Sequence, residues 1–477
     1  MRLRSGISAY NSRFDSRFDS RSEKPRSKRK HCMQAPFARR LAPLAMAVLL
    51  SGLFSLASAP VRAQSLQELY EAARGFDATY LGARAQFEST EFRIQQAEAL
   101  LRPSANATAS ANVARNDAPR FEAAIPTTVQ GALNGRYPIF NRANKVTVDQ
   151  ARKSAETAQA DLETAEQDLI LRVAQAYFDV LAAQDTLATT RASKTFITEQ
   201  LASAKRNFEV GTATITDSRE AQARFDLATA QEIAADNDLR AKRIALDQLV
   251  GRQGVVPKPL LVPVALPAPV PANPEEWVSL ADAQHPSIKR ARVGLDVATL
   301  ETDKARAGEL PTVDAVASVG AFDSRGSNVT LPGTTTQASV GLQMTWPLYT
   351  GGATQNRIKE TLKLEERSRN DLAAARRGVA QATRVAYFGV QSGLAQVKAL
   401  EAAEASSKLL LEATQLGFRV GVRVNLDVLN AQSQLAATQR DLAIARYNVL
   451  VGSLRLRQAA GGLAPADVST VSTLLAK

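Results

Sequence analysis

From residue 144 to 209, and again from 353 to 419, apolar side chains recur every three or four positions among Ala, Glu, Gln, Lys and Arg, with no proline in either run. That period predicts helices, and these residue types favour them. At 1.5 Å per residue each run reaches roughly 100 Å. In the second run Leu372, Ala375, Val379, Ala382, Ala386, Gly389 and Gly393 follow one another at alternating gaps of 3 and 4. This is a coiled-coil seam with small knobs, and it predicts close helix approach. Shorter helices are expected at 78–102 and 217–250 around the first long one, and at 287–309 and 425–460 around the second. Laid end to end, each short pair nearly matches its long partner.

Two other blocks alternate with period two, which predicts strands. In the first, Ala105, Ala107, Ala109, Ala111 and Val113 alternate with Asn106, Thr108, Ser110 and Asn112. Its partner sets Val129, Gly131, Leu133, Tyr137 and Ile139 against Gln130, Asn134 and Arg136. The second block runs from Val313 to Ala321, and its partner sets Ala338, Val340, Leu342, Met344, Trp346 and Leu348 against Gln337, Ser339, Gln343 and Thr345. The expected hairpins span 104–140 and 312–349, with loops at 117–126 and 323–335. Tyr137, Trp346 and Tyr349 fall near strand ends, where an interfacial aromatic belt belongs. An ordinary soluble hairpin is the alternative reading of such alternation. If the strands enter a membrane they must close into a barrel, and four are too few when about eight is the minimum. A trimer supplies twelve.

Both kinds of element occur twice. Tyr177-Phe178 recurs as Tyr387-Phe388, Phe208-Glu-Val-Gly211 as Phe418-Arg-Val-Gly421, Asp217 as Asp427, and Ala221-Gln222 as Ala431-Gln432, all 210 residues apart. So long a period excludes solenoid repeats and points to two copies of one helical-hairpin unit. The expected division is an N-terminal extension and signal peptide at 1–63, a first repeat at 64–252, a linker at 253–274, a second repeat at 275–463 and a tail at 464–477. The linker holds seven prolines and reads as extended and polyproline-like.

The net charge of +12 suggests a nucleic-acid partner, but residues 1–63 hold 13 of the 59 Lys/Arg and only 3 of the 47 Asp/Glu. The remaining 46 and 44 nearly cancel, which leaves no electrostatic footprint for DNA or RNA. Met33 to Arg40 reads as a basic n-region, Leu41 to Ala59 as an apolar core, and Val61-Arg62-Ala63 as a cleavage site before Gln64. A retained anchor is the alternative, since about 19 apolar residues just span a bilayer. Beyond the leader there is no run of 18 apolar residues, no cysteine after Cys32 and one histidine, His285. A multi-His or multi-Cys metal site is therefore excluded, as is a Cys–His nucleophile pair. His285-Pro286 reads as a structural helix start. No Gly-rich phosphate loop or nucleophile motif is present, so the chain is expected to be neither an enzyme nor a cofactor binder.

The turns joining long and short helices carry the most information. Gly211 and Gly421 suit left-handed positions ending the long helices. Asp217 with Glu220 reads as a capping box, and Asp427 complements the dipole of the last helix.

Taken together, the leader, the doubled strand-and-long-helix unit and the turns Phe208-Glu-Val-Gly211…Asp217 and Phe418-Arg-Val-Gly421-Val-Arg423-Val-Asn-Leu-Asp427 resemble the TolC family of outer-membrane export ducts. The resemblance covers 64–477 and includes Ala445-Arg-Tyr447-Asn448. It implies a fold that is mainly α with a small β part. Long antiparallel coiled-coil hairpins form two repeats, and four membrane strands per chain build a shared 12-stranded barrel in a homotrimer. It implies a passive, tip-gated exit across periplasm and outer membrane for proteins by type I secretion, or for small molecules. The expected partners are a periplasmic adaptor and an inner-membrane ABC or proton-driven pump. A multidrug-efflux role is the alternative, and a periplasmic coiled-coil scaffold without a channel the remote one. The resemblance also assigns the gate. Asp217 and Arg423 match a polar link that holds the tip shut, and Asp427 matches an acidic ring. Asn430 replaces a second acidic residue and Phe418 replaces a tyrosine. The tips Val210, Gly211, Thr212 and Val420, Gly421, Val422 would meet the adaptor.

Overall fold

A computed structural model describes residues 63–118, 121–261, 264–326 and 332–476. From Val61 to Lys477 the chain is one compact unit. The expected extension and signal peptide, up to Arg62, lie outside the described residues.

Nine helices and six strands are described. In the first half α1 is Leu66–Arg74, α2 Ala78–Ala99, β1 Ser104–Val113, β2 Asn116–Ala118, β3 Phe121–Ala124, β4 Thr127–Phe140, α3 Arg142–Glu209 and α4 Ile215–Val250. In the second half α5 is Pro274–Gln284, α6 Pro286–Ala307, β5 Thr312–Arg325, β6 Gly333–Thr345, α7 Ala353–Arg419, α8 Asn425–Ala459 and α9 Pro465–Ser472. The two long helices run 68 and 67 residues. Asn141 starts α3, its Oδ1 accepting from the Asn144 N–H at 3.0 Å. The long helix therefore begins two residues before the expected 144.

Each long helix serves two layers. In its sheet-proximal half α3 packs between α2 and α6, and α6 packs in turn on α7. In the distal half α3 lies between α4 and α8, and α8 packs on α7. The order is thus α2–α3–α6–α7 near the sheet and α4–α3–α8–α7 beyond it, so the two repeats lie side by side and meet where α3 packs on α6 and α8. Cross-layer pairs follow this order: Lys289 Nζ meets Glu163 Oε2 at 2.9 Å, and the Tyr447 hydroxyl donates to Asp185 Oδ2 at 2.6 Å.

The sheet runs β1-β4-β5-β6, antiparallel throughout, with β1 and β6 at its edges. Its register makes the alternation two-dimensional. Ala107, Leu133, Val319 and Ala338 align in one row, and Asn106, Asn134, Ser318 and Ser339 in the next. One face is therefore apolar yet exposed, with Leu133 at 52% and Val340 at 88%. The other is polar, where Ser318 and Ser339 share a 2.8 Å hydrogen bond and Arg136 pairs with Asp314 at 2.6 Å. Among the described residues no helix is long and apolar enough to cross a membrane.

Several expectations are corrected. The first loop contains the small β2–β3 hairpin. β6 stops at Thr345 rather than running to Leu348, because its pairing ends opposite Thr312, the first residue of β5. The seam of α7 is only partly the one expected. Val379 is buried as expected, but Thr383, Tyr387, Val390 and Val397 follow while Ala382 and Gly389 are exposed. Gly393 does mark a close approach, since a Cβ there would stand 2.9 Å from Val449.

The linker is strapped down, not a free spacer. The Gln64 N–H donates to Val256 O at 2.8 Å, Leu261 N–H to Leu474 O at 3.1 Å, and Ala476 N–H to Pro259 O at 2.8 Å. Both ends of the described chain thus converge on it, around a core of Tyr177, Phe178, Leu450 and Leu454. The helices α1, α5 and α9, none of them anticipated, pack onto this girdle or its flanks.

Candidate functional site

The two turns at the distal ends of the long helices close alike. Gly211 and Gly421 adopt φ of +79° and +81°. Thr212 N–H returns to Asn207 O at 2.8 Å, and Val422 N–H to Gly417 O at 2.9 Å. Such six-to-one bonds satisfy carbonyls that the helix end leaves open. Apolar side chains crown both tips, with Val210 at 73% exposure, Val420 at 65% and Val422 at 76%.

Beyond these glycines the two repeats differ. Thr214, not Asp217, is the N-cap of α4, so the expected start at 217 moves to Ile215. Thr214 Oγ1 accepts from the Asp217 N–H at 3.2 Å, and Asp217 Oδ2 accepts from the Thr214 N–H at 3.0 Å. Asp217 is thus the third residue of the helix, and Glu220 is not its box partner. In α8 Val424 stands at the cap without a side-chain acceptor. There the Asp427 carboxylate faces the positive helix end and lies 3.6 Å from Arg423 Nη1.

Asp217 and Arg423 line one cleft of about 440 Å³ between the tips, together with Asn207, Phe418 and Asn425. They make no ion pair with each other within the chain; their partners are Thr214 and Asp427. Phe418 packs beside the apolar cluster of Leu411, Val428, Ala431 and Leu435. Asn425 Oδ1 is buried with no hydrogen-bond partner. Asn430 is exposed and accepts from Arg224 Nη2 at 2.9 Å. Sequence reasoning missed Arg224, because an arginine four residues after Glu220 reads as ordinary helix-surface charge. No group of His, Cys, Asp or Glu among the described residues could hold a metal ion.

Residues 69–252 and 277–462 match the family model described as "Outer membrane efflux protein". The chain belongs to this family. It is 33% identical over 436 residues to outer membrane protein TolC of Vibrio cholerae, spanning 91% of this chain and 98% of that one. It is 36% identical over 340 residues to the alkaline protease secretion protein AprF of Pseudomonas aeruginosa, spanning 70% and 69%. Among solved structures, the outer membrane protein VceC of Vibrio cholerae superposes with a TM-score of 0.71 at 19% identity, covering 83% of this chain and 96% of that one. At that identity the likeness concerns the fold alone. As a family member this is an outer-membrane channel protein, and the members it matches are channels and secretion components, not enzymes.

Proposed function

We propose that three copies of this chain assemble into one conduit. Its twelve-stranded barrel crosses the outer membrane and its helical tunnel extends into the periplasm, giving exported cargo a passive exit. The observation that carries this reading is the sheet. Its apolar face is largely exposed, its opposite face is mostly polar, and its edges β1 and β6 are unpaired among the described residues. Unpaired edges are tolerated in a membrane only when closed by another copy. The helical layers end comparably, at α7 on one side and at α2 and α4 on the other. Phe388 on α7 is 53% exposed, whereas its counterpart Phe178 is buried, as expected if α7 meets a neighbouring copy.

The tips are the gate. In the trimer Asp217 and Arg423 pair between neighbouring copies, since within one chain they do not. Asp427 forms a ring around the axis and gives the constriction its cation preference. Asn430 adds no carboxylate, and Phe418 supplies packing without a hydroxyl. Val210, Gly211, Thr212 and Val420, Gly421, Val422 meet a periplasmic adaptor that couples the duct to an inner-membrane pump, which supplies the energy.

Protein secretion is favoured over drug efflux. The 36% identity to a protease secretion protein compares with 25% over 394 residues to the toluene efflux pump outer membrane protein TtgC of Pseudomonas putida. An ABC exporter is then the expected pump. Planar-bilayer recording of the purified protein tests the duct, and stable single-channel conductance is expected. A preparation that inserts no conductance supports the coiled-coil scaffold instead. Deleting the gene tests the cargo: loss of a protein from the medium without altered drug sensitivity is the expected result.

A further inference from the structure

Arg224, in the third turn of α4, reaches over α3 to α8 and donates from Nη2 to Asn430 Oδ1 at 2.9 Å. It is half-buried, and among the described residues no carboxylate lies within ion-pairing distance of it. The neutral amide orients the guanidinium without neutralising it. This contrasts with the nearby Arg423, whose charge Asp427 offsets at 3.6 Å.

Beside Arg224 lies a groove of about 210 Å³ lined by polar groups from three helices, including Thr190 and Ser193 of α3, Gln231 of α4 and Arg440 of α8. Thr190 donates its hydroxyl to Thr186 O at 2.8 Å, which occupies that proton. The Ser193 hydroxyl and the Gln231 amide have no side-chain partner among the described residues, so both are free to donate into the groove. Arg440 is held by Asp441, whose Oδ1 accepts from its Nε at 3.0 Å and its Nη2 at 2.9 Å. That leaves Nη1 as a donor with little net charge. Arg224 therefore carries the excess positive charge of this groove.

We propose that the groove is an oxyanion-binding station for carboxylate or phosphate groups of material in transit. The proposal rests on the duct reading above, in which the face of α8 carrying Asp427 and Asn430 turns toward the axis. Three copies would set three uncompensated guanidinium groups around the passage, about one helical turn from the Asp427 ring. A half-buried guanidinium with free donors alongside matches the oxygens of a carboxylate or phosphate group, and a narrow passage focuses its field. The duct then retards acidic segments at this level, while the Asp427 ring sets its cation preference.

The test is block of single-channel current by sodium pyrophosphate and, separately, by a hexaglutamate peptide, each scaled to the open current of the same variant. Both should block the natural protein in a manner relieved by added salt. Arg224→Gln should raise the half-blocking concentration at least tenfold. Asn430→Asp, which keeps Arg224 but sets a carboxylate against it, should do the same. Block by the peptide alone would assign the station to extended acidic chains, and block by both to compact oxyanions as well. If both variants block like the natural protein, or no anion blocks a conducting channel, the station is refuted while the duct stands. Absence of any conductance would overturn both.

Discussion

Tyr177 and Tyr387, 210 positions apart in the two repeats, each donate their hydroxyl to a carbonyl of the same connector. Tyr177 reaches Lys258 O at 2.9 Å and Tyr387 reaches Ala272 O. Each ring also stands edge-on to the phenylalanine that follows it, at 5.4 and 5.6 Å between centroids. The duplicated Tyr-Phe pair thus pins both ends of the proline-rich segment. Burial drives the Tyr177 phenol well above its ordinary pKa, so it remains a neutral donor at any working pH. Tyr177→Phe should leave the Lys258 carbonyl short of a partner and cost about 1–3 kcal/mol. A lowered unfolding midpoint in detergent checks this, and Tyr387→Phe should behave alike.

Gly251 ends α4 at φ +72°, and a Cβ there would stand 2.4–2.7 Å from ring carbons of Phe76. Gly251→Ala should therefore destabilise by two separable routes, backbone strain of about 1–2 kcal/mol and the clash. Adding Phe76→Ala should recover only the steric part. Equal midpoints for the single and double variants would show that the ring simply moves aside.

His285 joins α5 to α6, and its Nδ1 accepts from the Ser287 N–H at 3.1 Å. Burial lowers its pKa from the usual 6.5, since the charged ring is disfavoured there and protonated Nδ1 cannot accept. A group with a depressed folded pKa binds more protons when unfolded, so its contribution is complete above about pH 6.5 and is lost as pH falls through the lower folded value. Unfolding midpoints should drop through that acid window. His285→Asn, which keeps a cap acceptor, should flatten the drop, and an unchanged profile would refute the assignment.

Much of this was legible in the chain because it rests on local periodicity. Proline-free runs marked α3 and α7, alternation marked the sheet faces, and positive-φ glycines marked the tips. The misreadings come from competition between equivalent local signals or from distance. Thr214 with Asp217 and Asp217 with Glu220 both satisfy a capping pattern. Thr214 wins because Gly211 has already turned the chain, leaving only two residues before a cap is needed. The short helices α1, α5 and α9 have too few turns for periodicity to stand out, and α5 abuts α6 through His285. Arg224 and Asn430 are 206 positions apart, so no spacing rule brings them together.

The gate proposal predicts a non-additive pair. Arg423→Ala should raise resting conductance with little loss of stability, because exposed ion pairs contribute only about 0–1 kcal/mol. Asp217→Asn keeps an acceptor for the Thr214 N–H and should raise conductance as well. The double variant should add little beyond either change. Independent effects on bilayer conductance would show that Arg423 acts through Asp427 alone.

The central claim, one barrel shared by several copies, is tested most directly by native mass spectrometry of the detergent-extracted protein. Four strands per chain against a minimum of about eight for closure require at least two copies, and the proposed trimer predicts a single species of three chains, each beginning at Gln64. A monomer that retains its β content would contradict the account.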